Sequence, residues 1–77
     1  MPPDPPLRVQ VILQEIIVSL PGSTYKVFYY KLDNSPQLLA RGLPLKDDLR
    51  VALTAGDFLA QAWKLANAKA RDLGWIV

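Results

Sequence analysis

The side chains that could move a proton in this chain are seven carboxylic acids, since the 77-residue sequence has no histidine and no cysteine. They are Asp4, Glu15, Asp33, Asp47, Asp48, Asp57 and Asp72. Asp47 and Asp48 are adjacent, but neighbours on a turn point apart and into water. Asp also favours turns and helix caps. We therefore expect a solvated turn or a helix cap at this pair, and no proton-sharing dyad.

Nucleophilic and metal chemistry lack their usual residues. The serine and threonine hydroxyls have no histidine to activate them. The four glycines are scattered, so they form no phosphate-binding loop, and the commonest metal ligands are missing. The sequence predicts a protein that is not an enzyme, with no cofactor, no metal and no small-molecule substrate.

Basic residues offer a different chemistry, the binding of phosphates. Nine Lys and Arg residues against seven acidic ones leave a formal charge of only +2. A nucleic-acid surface around Tyr29 would use five of them: Lys26, Lys31, Arg41, Lys46 and Arg50. A mixed solvated surface is the simpler interpretation of so small an excess.

Aromatic residues are concentrated in one predicted strand, Thr24 to Leu32. Neither of its faces is clearly polar, so we expect it in the middle of a sheet. A single helix covers only one sheet face, and the other face then keeps either Tyr25 with Tyr29 or Phe28 with Tyr30. With two residues beside the helix stripe, the candidate partner-binding set is Tyr25, Tyr29, Phe28, Tyr30, Phe58 and Leu65.

Residues 9–20 admit two interpretations. Apolar residues at helical spacing fit an amphipathic helix, but the many β-branched residues favour a strand. As a strand, the alternation runs Val9, Val11, Leu13 and then Ile16, Val18, Leu20. A β-bulge near Gln14–Glu15 would explain the three-residue step. We favour the strand.

Turn residues separate the remaining elements. Pro21-Gly22 is typical of a type II turn, and Asp33-Asn34-Ser35-Pro36 of a further turn. Gln37 to Leu43 reads as a third strand that Pro44 ends. Residues 49–53 are either a short fourth strand or a turn of helix.

A C-terminal helix is the clearest local prediction. Thr54 is a plausible N-cap with Asp57 three residues later, and Gly74 suits the left-handed position after the last turn, from which Trp75 can fold back against Ala70. The expected core stripe is Leu59, Ala62, Trp63, Ala66, Ala70 and Leu73.

Together these elements predict an α+β protein, an antiparallel meander of three to four strands packed by one C-terminal helix. We expect residues 1–8 to form a flexible Pro-rich arm and residues 9–77 a single small domain. With a helical first segment the order becomes αβββα, which resembles double-stranded-RNA-binding domains. Three strands and a helix also resemble integrase arm-type DNA-binding domains in element order, without their Arg- and Trp-rich strand face.

The functional prediction follows from the fact that one helix can cover only one face of a sheet whose central strand is apolar on both faces. We expect a cytoplasmic, non-catalytic protein-interaction module or accessory subunit, which self-associates or docks a partner through an apolar sheet face. The alternative is a nucleic-acid-binding domain that uses the basic residues around the aromatic strand. No segment is long and apolar enough to suggest a membrane span.

Overall fold

The computed structural model describes residues 7–77. It contains four strands and one helix: β1 Arg8–Ile12, β2 Glu15–Ser19, β3 Lys26–Tyr30, β4 Leu39–Arg41 and α1 Ala55–Asp72. The strands pair antiparallel in chain order, and α1 packs on β2 and β3. The predicted α+β meander with one C-terminal helix is confirmed. The predicted Pro-rich arm falls outside the described residues except for Leu7 and Arg8, and Arg8 begins β1.

Residues 9–20 form a hairpin, so the prediction of one bulged strand is wrong, as is the helical alternative. A two-residue turn at Leu13 and Gln14 joins β1 to β2, with Ile12 paired to Glu15. Leu13 has a φ of +55°, the sign required at the first central position of a type II′ turn. Glycine is the usual residue there, which is why the sequence gives no turn signal.

After the first hairpin, the structure agrees better with the turns predicted from residue types. Gly22 has a φ of +84°, and the Ser23 N–H donates to the Leu20 carbonyl at 3.2 Å, as in the predicted type II turn. The third predicted strand is reduced to the three residues of β4. Residues 49–53 are turns and bends, and do not form a fourth strand.

The helix has both predicted caps. The Thr54 hydroxyl accepts the Asp57 N–H at 3.1 Å. At the other end Gly74 has a φ of +77° and donates to Arg71, while the Trp75 N–H donates to the Ala70 carbonyl at 2.8 Å. These two bonds form a Schellman motif, which turns Trp75 back onto the core.

The core lies between α1 and one face of the sheet. The cross-strand register places two residues of β2 and two of β3 on this face: Ile16, Val18, Val27 and Tyr29. The helix contributes Phe58 and three fully buried alanines, Ala62, Ala66 and Ala70. The predicted stripe is corrected at two positions, because Trp63 and Leu73 keep 46% and 41% of their surface exposed.

Candidate functional site

Alternation along β3 divides the aromatic residues between the two faces of the sheet. Tyr29, together with Tyr25 just before the strand, is buried under the helix, where Tyr25 stacks on Phe58 with ring centroids 5.1 Å apart. Phe28 and Tyr30 lie on the opposite face and are half-buried. Of the two aromatic pairs that the sequence left open, Phe28 with Tyr30 is therefore the one on the uncovered side.

We call this uncovered side the open face. Cross-strand pairing places Ile17 and Phe28 in its middle, with polar and charged residues at one end and along both edges, and with the other apolar residues and Glu15 at the opposite end. The apolar members are Ile12, Ile17, Phe28, Tyr30 and Leu39. The polar and charged members are Arg8, Gln10, Glu15, Ser19, Lys26 and Arg41. Ile17 is only 9% exposed although no helix covers it, because its cross-strand neighbours Gln10 and Phe28 and the side chains around them close over it.

An ion pair spans the middle of the open face. Arg41 on β4 holds Glu15 on β2 in a bidentate arrangement, with Nε to Oε2 at 2.9 Å and Nη2 to Oε1 at 2.8 Å. The guanidinium carbon lies 4.5 Å from the centroid of the Phe28 ring on the intervening strand. Arg41 thus covers one side of Phe28 while Glu15 fixes its direction.

Gly42 allows β4 to run this close to Phe28. A Cβ added at Gly42 would stand 3.1 Å from Phe28 Cδ1, and the φ of +71° is one that other residues rarely adopt. The backbone after Arg41 can therefore turn beside the ring. This approach is one reason why a glycine follows Arg41.

Positive charge dominates the open face. Arg8, Lys26 and Arg41 are its cations and Glu15 is its one carboxylate, so the face carries an excess of two positive charges. That excess equals the formal charge of the whole chain, which means that the rest of the sequence is balanced. The Lys26 ammonium lies 6.0 Å from the Phe28 ring centroid.

The five basic residues predicted to bind nucleic acid do not surround Tyr29, because Tyr29 is buried on the helix side and burial raises the pKa of its phenol. Lys26 and Arg41 lie on the open face, and Lys31 lines a shallow cleft of about 440 Å³ beside it, together with Arg41. Lys46 and Arg50 lie in the loop between β4 and α1. Of the five residues, two share the open face, one adjoins it and two do not.

Asp48 is a buried structural carboxylate, contrary to the solvated turn expected from the sequence. It accepts the Thr24 N–H at 2.8 Å and three N–H groups of Arg50. The Arg50 guanidinium, with the backbone N–H groups of Thr24 and Arg50, holds the pKa of this carboxyl well below its usual range. The neighbouring Asp47 does act as a helix cap, since it accepts the Ala55 N–H at 2.9 Å.

The backbone of Asp48 also joins the loop to the core. Its N–H donates to the Tyr25 hydroxyl at 2.8 Å, and that hydroxyl donates to the Leu53 carbonyl at 2.8 Å. Tyr25 therefore stabilises the fold and is too buried to contact a partner. No local signal identifies this network, because Asp48 is 24 residues from Thr24.

The two partner-binding candidates on the helix, Phe58 and Leu65, also differ in exposure. Phe58 is completely buried, so it contributes to the core and not to a surface. Leu65 is 39% exposed on α1, which packs on the other side of the sheet from the open face. Of the six predicted partner-binding residues, only Phe28 and Tyr30 belong to the open face.

Within residues 7–77, no three acidic side chains converge as a metal site would require. No helix in this part of the chain is both long enough and apolar enough to cross a membrane. Comparisons with protein-family models, curated proteins and solved structures found no match for this chain.

Proposed function

We propose that this protein is a non-catalytic interaction module that docks an acidic protein surface on its open face. The observation that carries the proposal is the pattern of that face, an apolar centre at Ile17 and Phe28 bordered at one end and along both edges by polar residues with an excess of positive charge. Protein interfaces commonly have an apolar core and a polar rim, with aromatic residues and Arg enriched. A cytoplasmic accessory subunit of a larger assembly is the role that such a module would fill.

The charges indicate the chemistry of the partner. Arg8 and Lys26 have no salt bridge among the described residues, whereas Arg41 is already paired with Glu15. A partner with carboxylates around an apolar anchor would meet two unpaired cations at the rim. Its anchor would lie over Tyr30, beside the Arg41 guanidinium that covers one side of Phe28. Charges at a rim favour the correct partner and speed its association more than they raise affinity.

Base stacking is less well supported by the same geometry. Single-stranded nucleic acids bind sheet faces by stacking bases on uncovered aromatic rings. One side of Phe28 is occupied by Arg41, which Glu15 holds in place. A base would have to displace a bidentate ion pair before it could stack there.

Selection from a displayed peptide library, followed by affinity measurement, tests the proposal. We expect the selected ligands to combine Asp or Glu with a large apolar residue, and to bind more weakly as salt rises. Lys26→Glu should weaken their binding about tenfold, because it reverses a rim charge beside Phe28. Lys64→Glu makes the same charge change on the exposed side of α1 and should leave binding unchanged.

Two results would contradict the proposal. Selected ligands without acidic residues would remove its electrostatic basis, as would equal effects of the two charge reversals. Salt-dependent binding of oligonucleotides that Lys26→Glu abolishes would favour the nucleic-acid alternative instead.

A further inference from the structure

The outer edge of β1 is a second surface that could bind a partner, because β1 is a terminal strand of the sheet. In the strand order β1-β2-β3-β4, both terminal strands have an edge without a partner among residues 7–77. β4 has only three residues and is followed by Gly42 and Pro44, which limit pairing. β1 has five residues, no proline or glycine, and one charge, at Arg8. Such an edge is a template for another strand.

The hairpin determines which backbone groups of β1 point outward. A two-residue turn makes Ile12 and Glu15 the closing hydrogen-bonded pair. Since hydrogen-bonded residues alternate along an antiparallel strand, Arg8, Gln10 and Ile12 direct their N–H and C=O groups toward β2. Val9 and Val11 direct theirs away from the sheet, where the described residues provide no strand to receive them.

The sequence of β1 complements itself about Gln10. In an antiparallel pair with its two-fold axis at Gln10, Val9 would face Val11 of the second copy, and their outward groups would form the hydrogen bonds. Both are β-branched, a favourable cross-strand combination. Both also lie on the helix side of the sheet, where Val11 is still 38% exposed. Pairing would cover that apolar surface.

The same register avoids charge repulsion. Arg8 would face Ile12 of the second copy, and the next residue across the sheet in that row is Glu15 of the second copy. Two strand spacings are about 10 Å. The Arg8 side chain can extend along this row toward Glu15, which stays paired with Arg41 of its own chain. Each cation at the edge would therefore approach the one carboxylate of the opposite open face.

We propose that two copies of this chain pair through the outer edges of β1. The result is a continuous antiparallel sheet of eight strands, with both helices on one side and both open faces on the other. This assembly does not require a ligand on the open face, although Arg8 takes part in both surfaces. It would present two copies of the open face side by side to a partner.

A cysteine at the two-fold axis tests this register directly, because the chain has no cysteine of its own. Gln10 would face Gln10 of the second copy in a non-hydrogen-bonded pair, where the Cα separation of about 4.5 Å suits a disulfide. We expect Gln10→Cys to oxidise to a covalent dimer far faster than Gln37→Cys, an exposed control in the loop before β4. Equal oxidation rates would overturn the register.

Sedimentation of the cysteine-free chain provides the second measurement. We expect a mass twice the 8.6 kDa of one chain, and Val11→Lys should raise the dimer dissociation constant at least about tenfold. Leu45→Lys makes the same change at a loop residue that is 94% exposed, and should have no effect. Circular dichroism confirms that both variants fold. A monomer at all concentrations would overturn the inference, while its binding of acidic peptides would leave the proposed function intact.

Discussion

Both faces of β3 carry aromatic residues, but the helix covers only one of the two faces. On the helix side, Val27 and Tyr29 are buried beneath an alanine stripe that lets α1 approach closely. On the open face, Phe28 and Tyr30 are half-buried, and the main cover over Phe28 is the guanidinium of Arg41. A helix excludes water permanently, whereas an ion pair in solvent contributes little free energy and can exchange partners. The comparison separates a face built for stability from one available for binding.

Truncation of one phenylalanine on each side gives the largest expected contrast. Phe58→Ala removes a completely buried ring that stacks on Tyr25, so it should lower the free energy of unfolding by about 3–5 kcal/mol. Phe28→Ala removes a half-buried ring and should cost about 1 kcal/mol. Urea unfolding followed by circular dichroism measures both values.

A domain of this length has so little stability that Phe58→Ala can leave it unfolded. Phe58→Leu keeps most of the buried volume and provides a measurable value in that case. If truncation at Phe28 destabilises the fold as much as truncation at Phe58, the open face is part of the core and the comparison fails.

Stability at acidic pH provides the next test. The Asp48 carboxylate accepts hydrogen bonds from Thr24 and Arg50 at one end of the helix side. The pKa of Asp48 is lowered in the folded state, so the stability from this group is complete above its unfolded pKa of about 4 and is lost as pH falls below it. We expect the melting temperature to fall below about pH 4, and to fall less in Asp48→Asn. Thermal unfolding monitored from neutral to acidic pH measures this.

Asp33→Asn is the matched control for that experiment. Asp33 is an exposed turn residue, so its substitution should leave the pH profile of the melting temperature as in the unmodified chain. If Asp48→Asn follows the same profile as Asp33→Asn, then the bonds from Thr24 and Arg50 to this carboxylate do not stabilise the folded state.

Local interactions account for what the sequence predicts correctly. The caps at Thr54 and Gly74 and the turn at Pro21-Gly22 each depend on neighbours a few residues away. The Arg41–Glu15 pair joins residues 26 positions apart, and no spacing rule connects them. Helical spacing predicts Trp63 in the core, but the stripe centres instead on Phe58 and the alanines. The sequence thus predicts the α+β meander, the C-terminal helix and the two candidate aromatic pairs, but not the β1–β2 hairpin, and packing selects the aromatic pair.

The hairpin turn that joins β1 to β2 contains an unfavourable residue. Leu13 is 92% exposed at a φ of +55°, a conformation that costs a non-glycine residue about 1–2 kcal/mol. Leu13→Gly should therefore raise the free energy of unfolding by up to about 1 kcal/mol, since glycine also gains freedom in the unfolded chain. This effect is smaller than the one expected at Phe58.

Gln14→Gly is the control for this last prediction, because Gln14 lacks a positive φ and should lose stability on the same change. Urea unfolding compares the two variants, and amide chemical shifts of β2 report its register. Because a one-residue slip would exchange Ile16 and Ile17 between the faces, burial on the helix side should fix the register without help from the turn. Stabilisation by Leu13→Gly with unchanged β2 shifts is the expected outcome. Loss of stability, or altered shifts, would mean that Leu13 itself maintains the division between the covered and open faces.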